Sequence, residues 1–285
     1  MLTGKTQLLG VIGNPVTHSL SPVMHNAALA ELGADYVYVA FPVAAPELEI
    51  AIPGLLVLGI QGFNITIPHK QAILPLLADI SPAAQAIGAV NTVWRTEQGW
   101  AGTNTDVAGF IAPLKSLRDW SGATALVLGN GGAARAVVAG CGQLGFAQIQ
   151  VVGRNAQKLA EFQASWLASS LHLPLVSLGW DALLTLLPTA DLIVNTTPLG
   201  MHPTVDRSPL TAAHLALAPA EAVVYDLIYT PRPTQLLAQA AQRGLATLDG
   251  LEMLVQQGAA ALEIWLHQAA PVATMRQALV DWLAR

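Results

Sequence analysis

Thr124-Ala-Leu-Val-Leu-Gly-Asn-Gly-Gly-Ala-Ala-Arg135 decides how this chain is built. A short apolar run, Ala125–Leu128, meets a glycine cluster, and a helix-forming run, Ala133–Ala139, follows. That order predicts a strand, a tight turn and a helix start. The glycines stand as Gly129-x-Gly131-x-x-Ala134, the G-x-G-x-x-A spacing of dinucleotide-binding turns. The first glycine permits the turn, the second lets backbone approach a pyrophosphate, and the small third residue lets helix and strand pack closely. Free N–H groups and the positive end of the helix dipole then face phosphate. A glycine turn with no ligand would carry the same residues, so the segment after it matters.

The helix predicted over residues 133–144 stops at Gly145, and Gln148–Val152 reads as the next parallel strand. In an NAD-binding unit an acid about 20 residues past the glycines bonds the ribose 2′-hydroxyl. Here the strand runs out into Gly153-Arg154-Asn155, with Lys158 a turn on and no acid. An acid would repel a 2′-phosphate, whereas the planar fork of Arg154 can grip one. The expected cofactor is NADP rather than NAD.

With 285 residues the chain has room for one large or two ordinary domains, each with its own core. It is 53% hydrophobic and 11% charged, with a mean hydropathy of +0.49. The longest apolar stretches, such as Ala51–Ile60, are nonetheless too short to span a bilayer. No signal-peptide core precedes Gly10, and one cysteine, Cys141, fits a reducing, cytoplasmic compartment. A net charge of −5 without a basic run argues against nucleic acid as a partner.

Upstream, Gln7–Ile12 reads as a strand, and Val23–Leu32 as a helix with Ser21 as its N-cap before Pro22. Ser19 and Ser21 lie just past a strand end, where open α/β sheets bind ligands, and their hydroxyls suit a polyhydroxylated or carboxylate ligand. Tyr36–Phe41 is a second strand, Pro46–Leu58 mostly helix, and Gly62–Ile67 a third strand. Pro68-His69-Lys70 is expected to open a helix over Gln71–Leu77. A lysine in that first turn would face the positive end of the helix dipole, which favours the neutral form a general base needs. His69 reads as structural. Ser81-Pro82 caps a short helix to Ile87, Ala89–Arg95 and Gln98–Gly102 form a hairpin, and Asp106 precedes the helix Val107–Leu117. An acid there also suits a helix N-terminus. Downstream, Asp191–Asn195, Ala222–Leu227 and Leu245–Leu248 are strands, Leu236–Gln242 is helical, and Leu251–Gln268 and Val272–Ala284 are two closing helices. Strands alternating with helices imply parallel sheets.

Seven blocks together are familiar: Gly13–Pro22, Asn64–Lys70, Gly88–Thr92, Gly102–Asp106, Gly129–Arg135, Asn195–Met201 and Asp249–Gln257. In this order, over nearly the whole chain, they closely resemble the shikimate dehydrogenase family. The resemblance implies an α/β protein of two domains. Residues 1–104 would form an α/β substrate domain, with the C-terminal helices of 251–285 packing back on it. Residues 105–250 would form a Rossmann-type NADP domain. It implies reversible reduction of 3-dehydroshikimate to shikimate in aromatic amino acid biosynthesis. By the same likeness Lys70 and Asp106 are the catalytic pair. Ser19, Ser21, Asn64, Thr66, Asn91, Tyr229 and Gln257 would hold substrate. Gly129, Asn130, Gly131, Gly132, Ala133, Arg154, Asn155, Lys158, Ile228 and Gly250 would line the cofactor site. The family often has Asn-Arg-Thr where this chain has Gly153-Arg154-Asn155; the arginine is kept.

Other oxidoreductase patterns are missing. Tyr36, Tyr38, Tyr225 and Tyr229 have no lysine four residues on, and no histidine pair has metal-ligand spacing. The alternatives are a quinate/shikimate dehydrogenase with relaxed substrate or NAD use, a methylene-tetrahydrofolate dehydrogenase, and a non-catalytic NADP-binding regulator. Monomer and homodimer are both compatible with the sequence.

Overall fold

A computed structural model describes residues 2–285. The chain divides into two compact units, one ending at Gly109 and resumed at Leu254–Arg285, the other Phe110–Met253. In chain order the first unit contains β1 (Gln7–Gly13), α1 (Ser21–Glu31), β2 (Tyr36–Pro42), α2 (Leu48–Val57), β3 (Gly62–Ile65), β4 (Asp79–Ile80), α3 (Pro82–Ile87), β5 (Thr92–Thr96) and β6 (Gly99–Thr103). The chain leaves this unit along α4 (Asp106–Lys115). The strands lie in the order β2-β1-β3-β5-β6-β4. β1 is parallel to β2 and β3, β5 is antiparallel to β3 and β6, and β4 is parallel to β6. The sheet is therefore mixed, not parallel throughout, because the β5–β6 hairpin reverses the chain inside it.

Two local expectations give way. Ser21 is not the N-cap of α1: Leu20 is, and no side chain caps that end. Pro22 stands at the second helical position rather than the first, so Ser21 lies inside the helix. Residues 71–77 form no α-helix; a turn over 70–73 leads into a 3₁₀ turn at Leu74–Leu76. Pro75 falls inside that run, lacks an N–H and crowds the carbonyl four residues back. A seven-residue run has no spare turn to absorb it. The dipole argument for Lys70 thus has no helix to rest on, and β3 ends at Ile65 rather than Ile67.

The second unit holds β7 (Thr124–Leu128), α5 (Gly132–Gln143), β8 (Gln148–Gly153), α6 (Ala156–Leu167), β9 (Leu175–Gly179), α7 (Leu183–Leu186), β10 (Leu192–Asn195), α8 (Ala212–Leu215), β11 (Val223–Asp226), α9 (Gln235–Gln242) and β12 (Ala246–Leu248). All six strands are parallel, in the order β12-β11-β10-β7-β8-β9. This is the doubly wound order, with its switch point between β7 and β10. Ala125–Leu128 and Leu192–Val194 are fully buried, as a central parallel strand covered on both faces requires. α10 (Leu251–Leu266) and α11 (Val272–Leu283) close the chain, and α11 packs on α1. Among the described residues no helix is long and apolar enough to cross a membrane.

Candidate active site and cofactor turn

Lys70 sits in the turn after β3. The turn is pinned by its own backbone: Val90 N–H donates to the Lys70 carbonyl (2.8 Å), Ile73 N–H to the His69 carbonyl (3.0 Å), and Asn14 N–H to the Ile67 carbonyl (2.9 Å). His69 Nε2–H donates to the Val43 carbonyl at 2.7 Å, and the ring is buried, so its part is structural. With its backbone fixed, Lys70 donates through Nζ to Asp106 Oδ2 at 2.5 Å. Both side chains are nearly sequestered, at 14% and 7% exposure, so little water screens the pair.

Asp106 is the first residue of α4, where a carboxylate suits the helix dipole. Its backbone N–H is capped by Asn104 Oδ1 (3.0 Å) and its Oδ1 accepts from Asn91 Nδ2 (2.8 Å). Asn91 lies just ahead of β5. Its Nδ2 also reaches Thr105 Oγ1 (3.0 Å) and Gln257 Oε1 (3.3 Å). Its Oδ1 accepts from Thr105 N–H (2.7 Å) and Thr92 Oγ1 (3.1 Å). Asn64 on β3 joins through Thr92 Oγ1 (3.1 Å). Burying so many polar groups is tolerable only because they satisfy one another.

One hydrogen-bonded network thus gathers Lys70, Asp106, Asn91, Asn64 and Gln257. Thr66 stands beside it, its N–H donating to the Ile12 carbonyl at the end of β1 (2.9 Å). Ser19 and Ser21 follow the same strand end, and Ser19 Oγ accepts the Ser21 N–H (3.3 Å). Tyr229 is half-buried in the second unit, in the loop after β11. Thr92, Thr105 and Asn104 are network members that the motif reading did not single out. The polar density of Thr103-Asn-Thr-Asp106 was the available signal.

The second unit carries the glycine turn. Gly129 has φ +105°, a left-handed conformation, and a Cβ there would meet Thr196 Oγ1 at 2.7 Å, so only glycine fits. Thr196 Oγ1 in turn donates to the Leu128 carbonyl (2.7 Å), tying the loop after β10 to the end of β7. Gly131 is the N-cap of α5, no side chain caps that end, and a Cβ on Gly131 would meet nothing within 4 Å. Asn130, Gly132 and Ala133 flank it, and an uncapped helix start with room beside Gly131 suits a phosphate cradle. At the end of β8 Arg154, Asn155 and Lys158 are all exposed. Asn155 Oδ1 accepts the Lys158 N–H (2.9 Å), capping α6 and setting both residues at its first turn. A cavity of about 600 Å³ opens beside Arg154, walled by α6 and by Ser177–Asp181. Cationic groups with no acid at the strand end fit a nucleotide carrying a 2′-phosphate.

At the far end of the parallel sheet Asp226 is fully buried. It accepts from Asn195 Nδ2 (3.0 Å), Ile228 N–H (3.2 Å) and Thr234 Oγ1 (2.7 Å). Burial pushes its carboxyl up to about 6, against the pull of those hydrogen bonds. The carboxylate fixes the loop that bears Ile228, whose carbonyl accepts the Gly250 N–H (3.1 Å). A Cβ at Gly250 would fall 2.0 Å from the Leu227 carbonyl oxygen, so no larger residue fits there.

Residues 11–93 match the shikimate dehydrogenase substrate binding domain and residues 250–280 the shikimate 5′-dehydrogenase C-terminal domain. The shikimate dehydrogenase (NADP(+)) of Trichormus variabilis is 63% identical over 282 residues, covering 98% of each chain. A shikimate dehydrogenase crystallised with NADP⁺ is 38% identical with a TM-score of 0.89, over 100% of this chain and 98% of that one. The shikimate 5-dehydrogenase of Thermus thermophilus, crystallised with NADP(H) and shikimate, is 36% identical with a TM-score of 0.83, over 96% and 99%.

Proposed function

The chain belongs to the shikimate dehydrogenase family, and from that premise we infer that it catalyses the reversible, NADP-dependent reduction of 3-dehydroshikimate to shikimate. It is an oxidoreductase acting on a secondary alcohol, and the pathway it serves makes aromatic amino acids. We assign substrate to the unit that ends at Gly109 and resumes at Leu254, and cofactor to Phe110–Met253. NADP supplies the hydride acceptor for alcohol oxidation and the donor for reduction. The remaining work is done by the chain's own residues.

The observation that carries the mechanism is the 2.5 Å contact of Lys70 with Asp106. In oxidation Lys70 takes the hydroxyl proton as the carbonyl forms, and in reduction it returns that proton to the new alkoxide oxygen. Asp106 aims the amine and, held by Asn91, keeps its place while the proton moves. Asn64, Thr66, Asn91, Ser19, Ser21 and Gln257 are the first unit's hydrogen-bonding set for a small ligand with several hydroxyls and a carboxylate; the family likeness adds Tyr229. The uncapped turn Gly129–Ala133 takes the pyrophosphate. Arg154, Asn155 and Lys158 would hold the 2′-phosphate end, and Ile228 and Gly250 would line the nicotinamide end. A net charge of −5 without a basic run supports small molecules, not nucleic acid, as partners. We place the enzyme in the cytoplasm on its single buried cysteine and on the nature of its substrates.

Replacing Lys70 by alanine tests the assignment. Loss of a general acid–base group costs about 10²–10⁴-fold in rate. A kcat lowered by that amount, with NADP binding retained, is expected. An unchanged kcat would remove Lys70 from the chemistry.

A further inference from the structure

Asn64 is held on three sides by the protein itself. Its Nδ2 donates to the Asn91 carbonyl and to Thr92 Oγ1, both at 3.1 Å. Its Oδ1 accepts the Tyr38 hydroxyl at 2.7 Å. A side-chain amide offers two N–H donors and two lone pairs on oxygen. Both donors are spent on the protein, and so is one lone pair. Turning the amide over would set oxygen against the Asn91 carbonyl oxygen, which can only accept, so the orientation has one solution. What Asn64 has left for a ligand is an acceptor.

Tyr38 is placed to hold the amide in that orientation. Its residue is 1% exposed, and its ring stacks on His25 with centroids 4.3 Å apart and planes 12° from parallel. On another side lies Trp265, at 6.0 Å and 44°, itself anchored by Nε1 donating to the Val93 carbonyl (2.9 Å). Such a packed aromatic cluster fixes the phenol within a narrow range of positions.

We infer that Tyr38 is a positioning residue for substrate selection. Its hydroxyl, donating to Oδ1, braces the Asn64 amide in the orientation that the Asn91 carbonyl selects, so that Asn64 presents an acceptor, to which a substrate hydroxyl donates. The inference rests on the reading that Asn64 holds substrate.

The test uses four full-length proteins: the parent, Tyr38→Phe, Asn64→Ala and the double variant. The phenylalanine keeps the ring and its stack and removes only the donor. Loss of one neutral hydrogen bond predicts a rise of about five-fold in KM for shikimate. KM for NADP should not move. Because Tyr38 acts through Asn64, adding Tyr38→Phe to Asn64→Ala should change KM no further. A raised KM in Asn64→Ala with no effect of Tyr38→Phe would overturn the role of Tyr38 and leave the site reading standing. So would equal rises in both KM values, or full additivity in the double variant, since a general loosening of the fold produces those. An unchanged KM in Asn64→Ala would overturn the site reading and the inference with it. A second measurement needs no Asn64 variant: dissociation constants of shikimate and its mono-deoxy analogues for the parent and Tyr38→Phe. One analogue, lacking the hydroxyl that Asn64 accepts, should bind both proteins equally. Equal sensitivity of all the analogues would contradict the inference.

Discussion

We assign the cofactor preference to Arg154, whose guanidinium is exposed at the end of β8. A hydrogen bond to a charged partner is worth about 1.5–3 kcal/mol, which is roughly 10–150-fold in affinity. Arg154→Ala should raise KM for NADP by a factor in that range and leave KM for NAD where it was. Equal changes for both cofactors would show that Arg154 does not read the 2′-phosphate. At this scale the sequence is informative where a motif names the residue. Lys70, Asp106 and the glycine turn all stand in short fixed spacings. Tyr38 is not legible, because its contact with Asn64 reaches from β2 across β1 to β3, which no local spacing encodes. The helix-dipole argument for Lys70 fails: its partner is a carboxylate 36 residues away, not a helix dipole.

Elements follow their local chemistry where caps and breakers are plain. Ser81 caps α3, and Gly88 ends it in a left-handed conformation at φ 70°. Pro75 does the opposite, cutting an expected helix to a 3₁₀ turn. α6 and β9 have no counterpart among the elements expected from sequence, although Leu159, Phe162 and Trp166 mark a buried helical face behind the Asn155 cap. Packing between elements also sets a pH response. His25 on α1 is fully buried, and desolvation lowers it from 6.5 to about 3. A lowered histidine contributes stability that is present above pH 6.5 and is lost as pH falls from 6.5 toward 3. Asp226, raised from 3.8 to about 6, works the other way: its contribution is present below pH 3.8 and is lost as pH rises to 6. The two trends oppose each other, so a variant must separate them. Between about pH 7 and pH 5 the parent should lose about 2 kcal/mol more stability than His25→Leu, from roughly 1.5 pKa units at about 1.36 kcal/mol each. Urea denaturation of both proteins at both pH values reads this difference; parallel losses would mean His25 does not titrate against folding.

For the whole molecule, five of the six strands of the all-parallel sheet, all but β9, are legible from one glycine turn and the strands around it, since its central strands are continuous apolar runs. The mixed sheet is less so, because nothing in the spacing of β3, β5 and β6 says which neighbour each strand takes. The polar network on that sheet is what turns a fold into a reaction, and it makes one central claim: a shikimate-directed, NADP-using dehydrogenase. The most direct test is the initial rate of shikimate and of quinate oxidation, each with NADP and with NAD, on the purified protein. Shikimate with NADP is expected to be strongly preferred over the other three combinations. Comparable rates with quinate or with NAD, or cofactor binding without turnover of either alcohol, would contradict it.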